Sequence, residues 1–248
     1  MHESSKNSLK KLLPNSLYNY GLKNYSKRLV SQLKKGKLIS KILKKKDFYK
    51  STFKTTYDTL DPRWDTELLI DVFLEKFKLI PVKNKYTLVD MCTGTGIIGL
   101  SLLMEIEKLR CEFVDISHKA LMVCKKNIRS HKLWHKSKIT KLSIEKFPNK
   151  NIDFFVSNPP YLLKSEIEIN KNYLQYDPFI SLYGGPDGLY FYRIIAKYIK
   201  INVNYFGVIE IDHNRTEEIK EIFTHEGLKN IQIFKYTDGL NRILYCEI

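Results

Sequence analysis

At 248 residues, 43% hydrophobic and 28% charged, the chain has the composition of one sizeable soluble core with room for a small extra domain. Its longest apolar stretches, such as GIIGLSLLM, fall well short of the roughly 20 residues that span a bilayer, and no secretory h-region follows the N-terminus. The net charge of +15 is lopsided, because residues 1–50 hold fourteen Lys or Arg against only Glu3 and Asp47, which predicts contact with RNA, the ribosome or an acidic protein.

Residues 1–52 are expected to form a basic, mainly helical region. Val30, Leu33, Leu38, Ile39, Ile42 and Leu43 can make one apolar stripe there, with the lysines on the wet side. The alternation in DFYKSTFKTTYDTL predicts a short strand pair, and the catalytic domain is taken as 53–248. After Pro62, Leu68, Leu69, Val72, Phe73 and Phe77 recur at helical spacing. Then come a strand (YTLVDM), a helix (GIIGLSLLMEIEKL), a strand (CEFVDIS), a helix (HKALMVCKKNIRSH) and two strands (SKITKLS, IDFFVSN). A loop region follows, then a helix (DGLYFYRIIAKYIK), a strand (NYFGVIEID), a helix (TEEIKEIFTHEG) and two strands (NIQIFKYT, RILYCEI). Such alternation predicts an α/β fold: a doubly wound parallel sheet with an antiparallel hairpin at its C-terminal edge.

Between the first strand of that sheet and its helix lies Asp90-Met91-Cys92-Thr93-Gly94-Thr95-Gly96. Glycines at this point let the backbone approach a ligand, where sheets of this class bind nucleotides. The stretch holds only part of a dinucleotide fingerprint, and GxxxxGK[ST] is absent, so the loop is not tuned to a phosphate. Asp115, 19 residues after Gly96, closes the next strand, where a carboxylate can accept both ribose hydroxyls of an adenosine. An acidic strand end without phosphate machinery favours S-adenosyl-L-methionine over NAD or ATP. Asp90 then either holds the loop or meets the ammonium of the methionine moiety.

The apolar run DFFVS ends on Asn158-Pro159-Pro160-Tyr161. An amide nitrogen is a poor nucleophile because its lone pair is delocalised, so methylating it is helped by acceptors that hold both N–H hydrogens. The Asn158 side-chain oxygen and the Pro159 carbonyl offer two, and the prolines fix the backbone that carries them. Catalysis would rest on orientation and preorganised dipoles, with Tyr161 as an aromatic wall. The bracket suits adenine's exocyclic amine as well as a glutamine amide.

Taken together these residues resemble the HemK/PrmC family, the protein-(glutamine-N5) methyltransferases of peptide-chain release factors. The resemblance runs over about residues 47–248, through LDPRWDTELLI, DMCTGTGIIGLSLL, DIS, VSNPPYL and YDPFISLYGGPDGLYFYRII. It implies a Rossmann-like S-adenosylmethionine domain preceded by a small helical domain that docks the release factor. Cys92 to Gly96, Asp90, Asp115 and Asn158 would meet the cofactor. Asn158, Pro159, Pro160 and Tyr161 would bind and bracket the glutamine of a Gly-Gly-Gln loop, with Arg63, Thr66 and Glu67 shaping the entrance or holding the loop. Gly184, Gly185, Asp187 and Gly188 are expected to be turn chemistry that opens the next helix. Cys92 stands at a commonly glycine position, where a small residue should be tolerated if its φ is negative. Ser143 and Ile144 stand where the family often has Asp-Trp, so adenine would be held by apolar packing.

The nearest alternative, glutamine methylation of a ribosomal protein, shares nearly all these motifs; adenine-N6 methylation of nucleic acid is a second, although the Pro62-Arg63 segment and YDPFISLYGGPDGLYFYRII are not expected of DNA adenine enzymes. A domain that binds without turnover is the non-enzyme alternative. Four scattered cysteines without a CxxC pair, and six histidines without a metal-binding spacing, predict a reducing cytoplasm and no metal. Arg28 is the lone arginine of the basic segment and supports an organellar address only weakly.

Overall fold

In the computed structural model, which describes residues 37–248, the first elements are a one-turn helix α1 (Ile39–Leu43) and a hairpin of β1 (Lys45–Phe48) and β2 (Ser51–Lys54). Most of the expected basic region, including Val30 and Leu33, lies outside the described residues. In α1 the expected sidedness is corrected: Ser40 and Lys41 are buried, whereas Ile39, Ile42 and Leu43 are only half-buried. Lys41 goes inward because a set of acceptors waits there. Its ammonium donates to the Thr56 carbonyl (2.8 Å) and the Thr59 carbonyl and lies 3.3 Å from Asp177.

The helix α2 (Glu67–Phe77) buries Leu69, Ile70, Val72 and Phe73, a stripe shifted by one residue from the expected one, with Leu68 and Phe77 at its margin. Alternation then sets in: β3 (Tyr86–Met91), α3 (Ile97–Glu105), β4 (Leu109–Asp115), α4 (His118–Ser130), β5 (Ser137–Lys141) and β6 (Ile152–Ser157). β3 and β6 are buried on both faces, as strands covered by helices on two sides must be. Two short helices, α5 (Lys164–Ile169) and α6 (Lys171–Leu174), occupy the expected loop region. They bury no side chain fully and so leave no periodic apolar signal. The chain closes with α7 (Tyr190–Asn202), β7 (Val203–Glu210), α8 (Thr216–His225), β8 (Lys229–Lys235) and β9 (Asn241–Glu247).

The seven-stranded sheet has the order β5-β4-β3-β6-β7-β9-β8. β3 to β7 are parallel, and β9 runs antiparallel between β7 and β8. One core lies on each face: Leu69, Phe73, Leu100, Phe113, Phe154 and Phe206 on one, Val114, Phe155, Ile195, Ile199, Ile209 and Phe223 on the other. The β1–β2 hairpin joins the first core through Phe48 and Phe53 and is pinned to α4 by Asn127, which accepts from the Lys54 N–H (2.7 Å). The order reverses between β3 and β6, and at their carboxyl ends a sheet of this class opens its ligand crevice. Among the described residues no helix is long and apolar enough to cross a membrane.

Candidate active site

At that reversal β3 ends in a loop held from below by Asp90. Fully buried, its Oδ2 accepts from Thr93 Oγ1 (2.6 Å) and the Gly99 N–H (3.0 Å), while its Oδ1 has no partner among the described residues. Burial pushes its pKa up to about 7. Of the two roles open to Asp90, holding the loop is the one its contacts serve, since it does not line the crevice. Thr93, Thr95 and Gly96 likewise build the loop from behind. The Thr95 carbonyl accepts from Asn127 (2.9 Å), and a Cβ on Gly96 would stand 2.6 Å from Cys124 Sγ. Cys92 has φ +59°, so the condition of a negative φ is not met. The loop keeps the left-handed turn of a glycine position, and the thiol packs partly buried against the second core.

Above the loop is a cavity of about 450 Å³ lined by Cys92, Gly94, Asp115, Asn158 and Pro160, with Leu142, Ser143 and Ile144 forming one wall. Asp58, Thr59, Leu60 and residues 178–181 form the other side, and none of these was expected from sequence. Asp115 is clamped: Oδ2 accepts from the Gly94 N–H (2.9 Å) and Oδ1 from the Ser117 N–H (2.8 Å). Burial pushes its pKa up despite these bonds. Gly94 has φ +55°, and a Cβ there would meet nothing within 4 Å. It leaves bare backbone facing open space that a ligand can fill. The volume, the apolar wall and the fixed carboxylate suit a nucleoside-sized ligand. Among the described residues no group of three His, Cys, Asp or Glu could hold a metal ion.

A second chamber of about 70 Å³ adjoins the first. Asn158 and Pro160 line both. Arg63, Pro159, Tyr161 and Glu210 line the smaller one as well, together with the apolar Leu162, Leu174 and Leu182. Thr66 ties this corner together, accepting from Asn158 Nδ2 (3.3 Å) and donating to Glu210 (2.5 Å), while Tyr161 donates to the same carboxylate (3.4 Å). Neither Asn158 Oδ1 nor the Pro159 carbonyl has a hydrogen-bond partner among the described residues. Arg63 is fixed by Asp177 (2.7 Å), the same carboxylate that Lys41 approaches and that accepts from the Asp61 N–H (2.7 Å).

Glu67 is the expected site residue that stands apart. Its carboxylate accepts from the Tyr49 N–H (2.9 Å) and so holds the turn of the β1–β2 hairpin rather than facing either chamber. The Gly184–Gly188 segment does more than open α7. A Cβ on Gly184 would lie 2.5 Å from Tyr161 Cα, and the backbones pair through Leu162 N–H to Leu182 O (2.8 Å) and Gly184 N–H to Leu162 O (2.9 Å). These glycines let a second strand of backbone press the Asn-Pro-Pro-Tyr segment into place.

Glu210 is the residue that sequence reasoning gave no role, although an acid closing the buried run FGVIE was a usable signal. Burial, reinforced by nearby Asp65, pushes its pKa up to about 7. The folded state therefore holds this proton more tightly than the unfolded chain, whose carboxyl titrates near 4.5. Its contribution to stability is full below pH 4.5 and is lost as pH rises through 7. Glu210→Gln should consequently gain in melting temperature relative to the parent as pH is raised from 4 to 8; a difference that stays flat across that range would refute the shift.

Residues 57–175 match the model of the methyltransferase small domain family. The chain is 31% identical over 214 residues to a release factor glutamine methyltransferase of Mycoplasma mycoides subsp. mycoides SC, covering 84% of this chain and 75% of that one. It is 33% identical over 222 residues to a protein of the same name from Clostridium acetobutylicum, covering 87% and 76%. Among solved structures, the hMettl16 catalytic domain in complex with the MAT2A 3'UTR hairpin 1 superposes with a TM-score of 0.60 at 13% identity, over 77% of this chain and 71% of that one, a likeness of fold alone. Identity above 30% across three quarters of such relatives, in a sheet whose glycine loop and Asn-Pro-Pro-Tyr segment meet in one crevice, shows that this chain belongs to the release factor glutamine methyltransferase family.

Proposed function

We propose that the chain methylates the side-chain amide nitrogen of the glutamine in the Gly-Gly-Gln loop of a class I peptide-chain release factor, using S-adenosyl-L-methionine. The observation that carries this reading is the position of Asn158 at the boundary of the two chambers, with Asn158 Oδ1 and the Pro159 carbonyl both unengaged. The larger chamber has the volume and the carboxylate for the cofactor, which when bound supplies an electrophilic methyl on a sulfonium. Asp115 would accept the ribose hydroxyls, and Leu142 and Ile144 would take the adenine by apolar contact in place of an aromatic ring. The small chamber, about 70 Å³, would take the end of an amide side chain.

There the two free acceptors would take the amide N–H hydrogens, fixing the NH₂ plane and turning the nitrogen lone pair toward the larger chamber. Thr66 holds the Asn158 amide so that its oxygen, not its nitrogen, faces the substrate. The N–C bond would form as the sulfonium S–CH₃ bond breaks, and the cationic amide would then pass one hydrogen, by way of the acceptor that holds it, to bulk water, leaving the neutral N-methyl amide. The pyrrolidine rings and Tyr161 keep water from competing for these acceptors. Residues 1–52 would dock the release factor, and the reaction would take place in the cytoplasm, where translation ends.

Intact-peptide mass spectrometry on a release factor incubated with the chain and S-adenosylmethionine tests the proposal. One added methyl on the Gly-Gly-Gln glutamine is expected; its absence with cofactor demonstrably bound would refute the substrate and point first to ribosomal proteins. Asp115→Ala should weaken S-adenosylmethionine binding by about 100-fold, the scale of a lost charge-assisted hydrogen-bond pair. Unchanged affinity by calorimetry would remove Asp115 from the ribose role.

A further inference from the structure

The two faces of the sheet are not equally covered. β5 and β6 are joined by residues 142–151, which carry only the 3-10 turn Ile144–Lys146 where a parallel crossover ordinarily carries a helix. The amino ends of β3, β4 and β5 border an open cleft of about 510 Å³. It lies at the opposite ends of the strands from Asp115 and Asn158, roughly 20 Å away along a strand.

Five cations line this cleft, Lys85, Arg110, Lys136, Lys138 and Lys150, against the single carboxylate of Glu112. Glu112 is already engaged by Lys150 (2.6 Å), Lys138 (3.2 Å) and Thr140 (2.5 Å). Burial would raise its pKa, but these partners outweigh burial and hold it below the usual range. Arg110 donates to the His135 carbonyl and meets no carboxylate, and Lys85 and Lys136 have no ion-pair partner among the described residues. Trp134, next in sequence to the lining residue His135 although not itself part of the lining, is 71% exposed, its ring edge-on to His135 at 5.8 Å.

Three uncompensated cations in one cleft repel each other, and an indole in water gains nothing from the fold. Both features become favourable against a partner that offers a row of anions and flat apolar faces together. An acidic peptide would satisfy the cations and leave the indole without a planar partner. A lipid surface is too flat to enter a cleft. A single-stranded polynucleotide offers both, its phosphates for the cations and its bases for the ring.

We propose that this cleft docks single-stranded RNA, with Lys85, Arg110 and Lys136 on phosphates and Trp134 stacked on a base, on the side of the sheet remote from methyl transfer. Only the choice of RNA over DNA rests on the proposed function in translation.

The test is fluorescence anisotropy of a labelled RNA oligonucleotide across a salt series, with the full chain. Lys85→Ala/Arg110→Ala/Lys136→Ala should lower the salt slope by about 2, each phosphate contact on a single strand contributing about 0.7. Trp134→Ala should weaken binding about five-fold or more with the slope unchanged, because stacking releases no counterions. Residual binding through the basic N-terminal segment is expected in both variants. If the triple variant fails to fold, Lys85→Gln/Lys136→Gln should remove about 1.4 of the slope. A slope and affinity equal to the parent's would overturn the proposal, as would a parent that binds no RNA. Loss confined to DNA or to phosphatidylserine vesicles, with RNA binding untouched, would overturn RNA as the occupant. Methylation of a release factor should be unaffected by these substitutions, and this readout is independent of RNA binding.

Discussion

Asn158→Ala should lower kcat by about a thousand-fold while leaving the fold and the cofactor affinity nearly intact. The magnitude is that of removing one preorganised polar group from a site that works by orientation and fixed dipoles. The geometry makes the loss specific. Asn158 contributes one of two unengaged acceptors, and it alone has its amide plane set by another side chain, Thr66, which is in turn held by Glu210. Removing the side chain leaves Thr66 and Glu210 bonded to each other, so the core behind them has no reason to collapse. Single-turnover kinetics and cofactor calorimetry on the same preparation decide the matter. A variant that turns over within ten-fold of the parent would sink the bracket. Parallel losses of cofactor affinity and rate would instead assign Asn158 chiefly to the larger chamber.

Lys41→Met should cost about 3 kcal/mol of stability, the scale of breaking a buried ion pair from one side. Methionine keeps most of the aliphatic stem, so the loss isolates the ammonium. Lys41 is buried with Asp177, and burial outweighs their attraction, pulling the lysine pKa down and pushing the aspartate pKa up. Such a pair contributes little net energy when intact and a great deal when halved. Without the ammonium, the carbonyls of Thr56 and Thr59 lose a donor and Asp177 retains, among the described residues, Arg63 and the Asp61 N–H. Denaturant unfolding measures the cost. Lys41→Met combined with Asp177→Asn should recover part of it, since the unpaired charge is then gone. A double variant that loses the sum of the two single costs would show that the pair is not coupled.

The sheet was legible because its signals are local and redundant. Tyr86–Met91 matches the expected strand end for end, and β6 departs from its expected span by one residue at the carboxyl end, since strands buried on both faces are written in mostly apolar residues. The glycine loop and the Asn-Pro-Pro-Tyr segment were legible for a different reason, because few functions need those residues at strand ends. What stayed hidden is non-local. Lys41 reads as a solvated face until Thr56, Thr59 and Asp177 are brought to it from elsewhere in the chain. The left-handed Cys92 is set by a loop that Asp90 and Asp115 pull from two sides. Glu67 was expected at the site because LDPRWDTELLI resembles a family motif, yet one step along a helix turns a side chain by 100°, enough to send Glu67 to the hairpin and Thr66 to Glu210.

The order β7-β9-β8 has a consequence for biosynthesis. β9 is the last of the seven strands to be synthesised, yet it is an interior one. Until residues 241–247 have cleared the ribosome, β7 and β8 each present a bare hydrogen-bonding edge, the kind of edge that recruits other chains. The nascent protein can bury Phe155 against α7 early, but it cannot close its sheet until Asn241–Glu247 has been made. A chain cut short before Asn241 would carry a complete glycine loop and a complete Asn-Pro-Pro-Tyr segment and still present two unpaired strands to the aggregation and quality-control machinery.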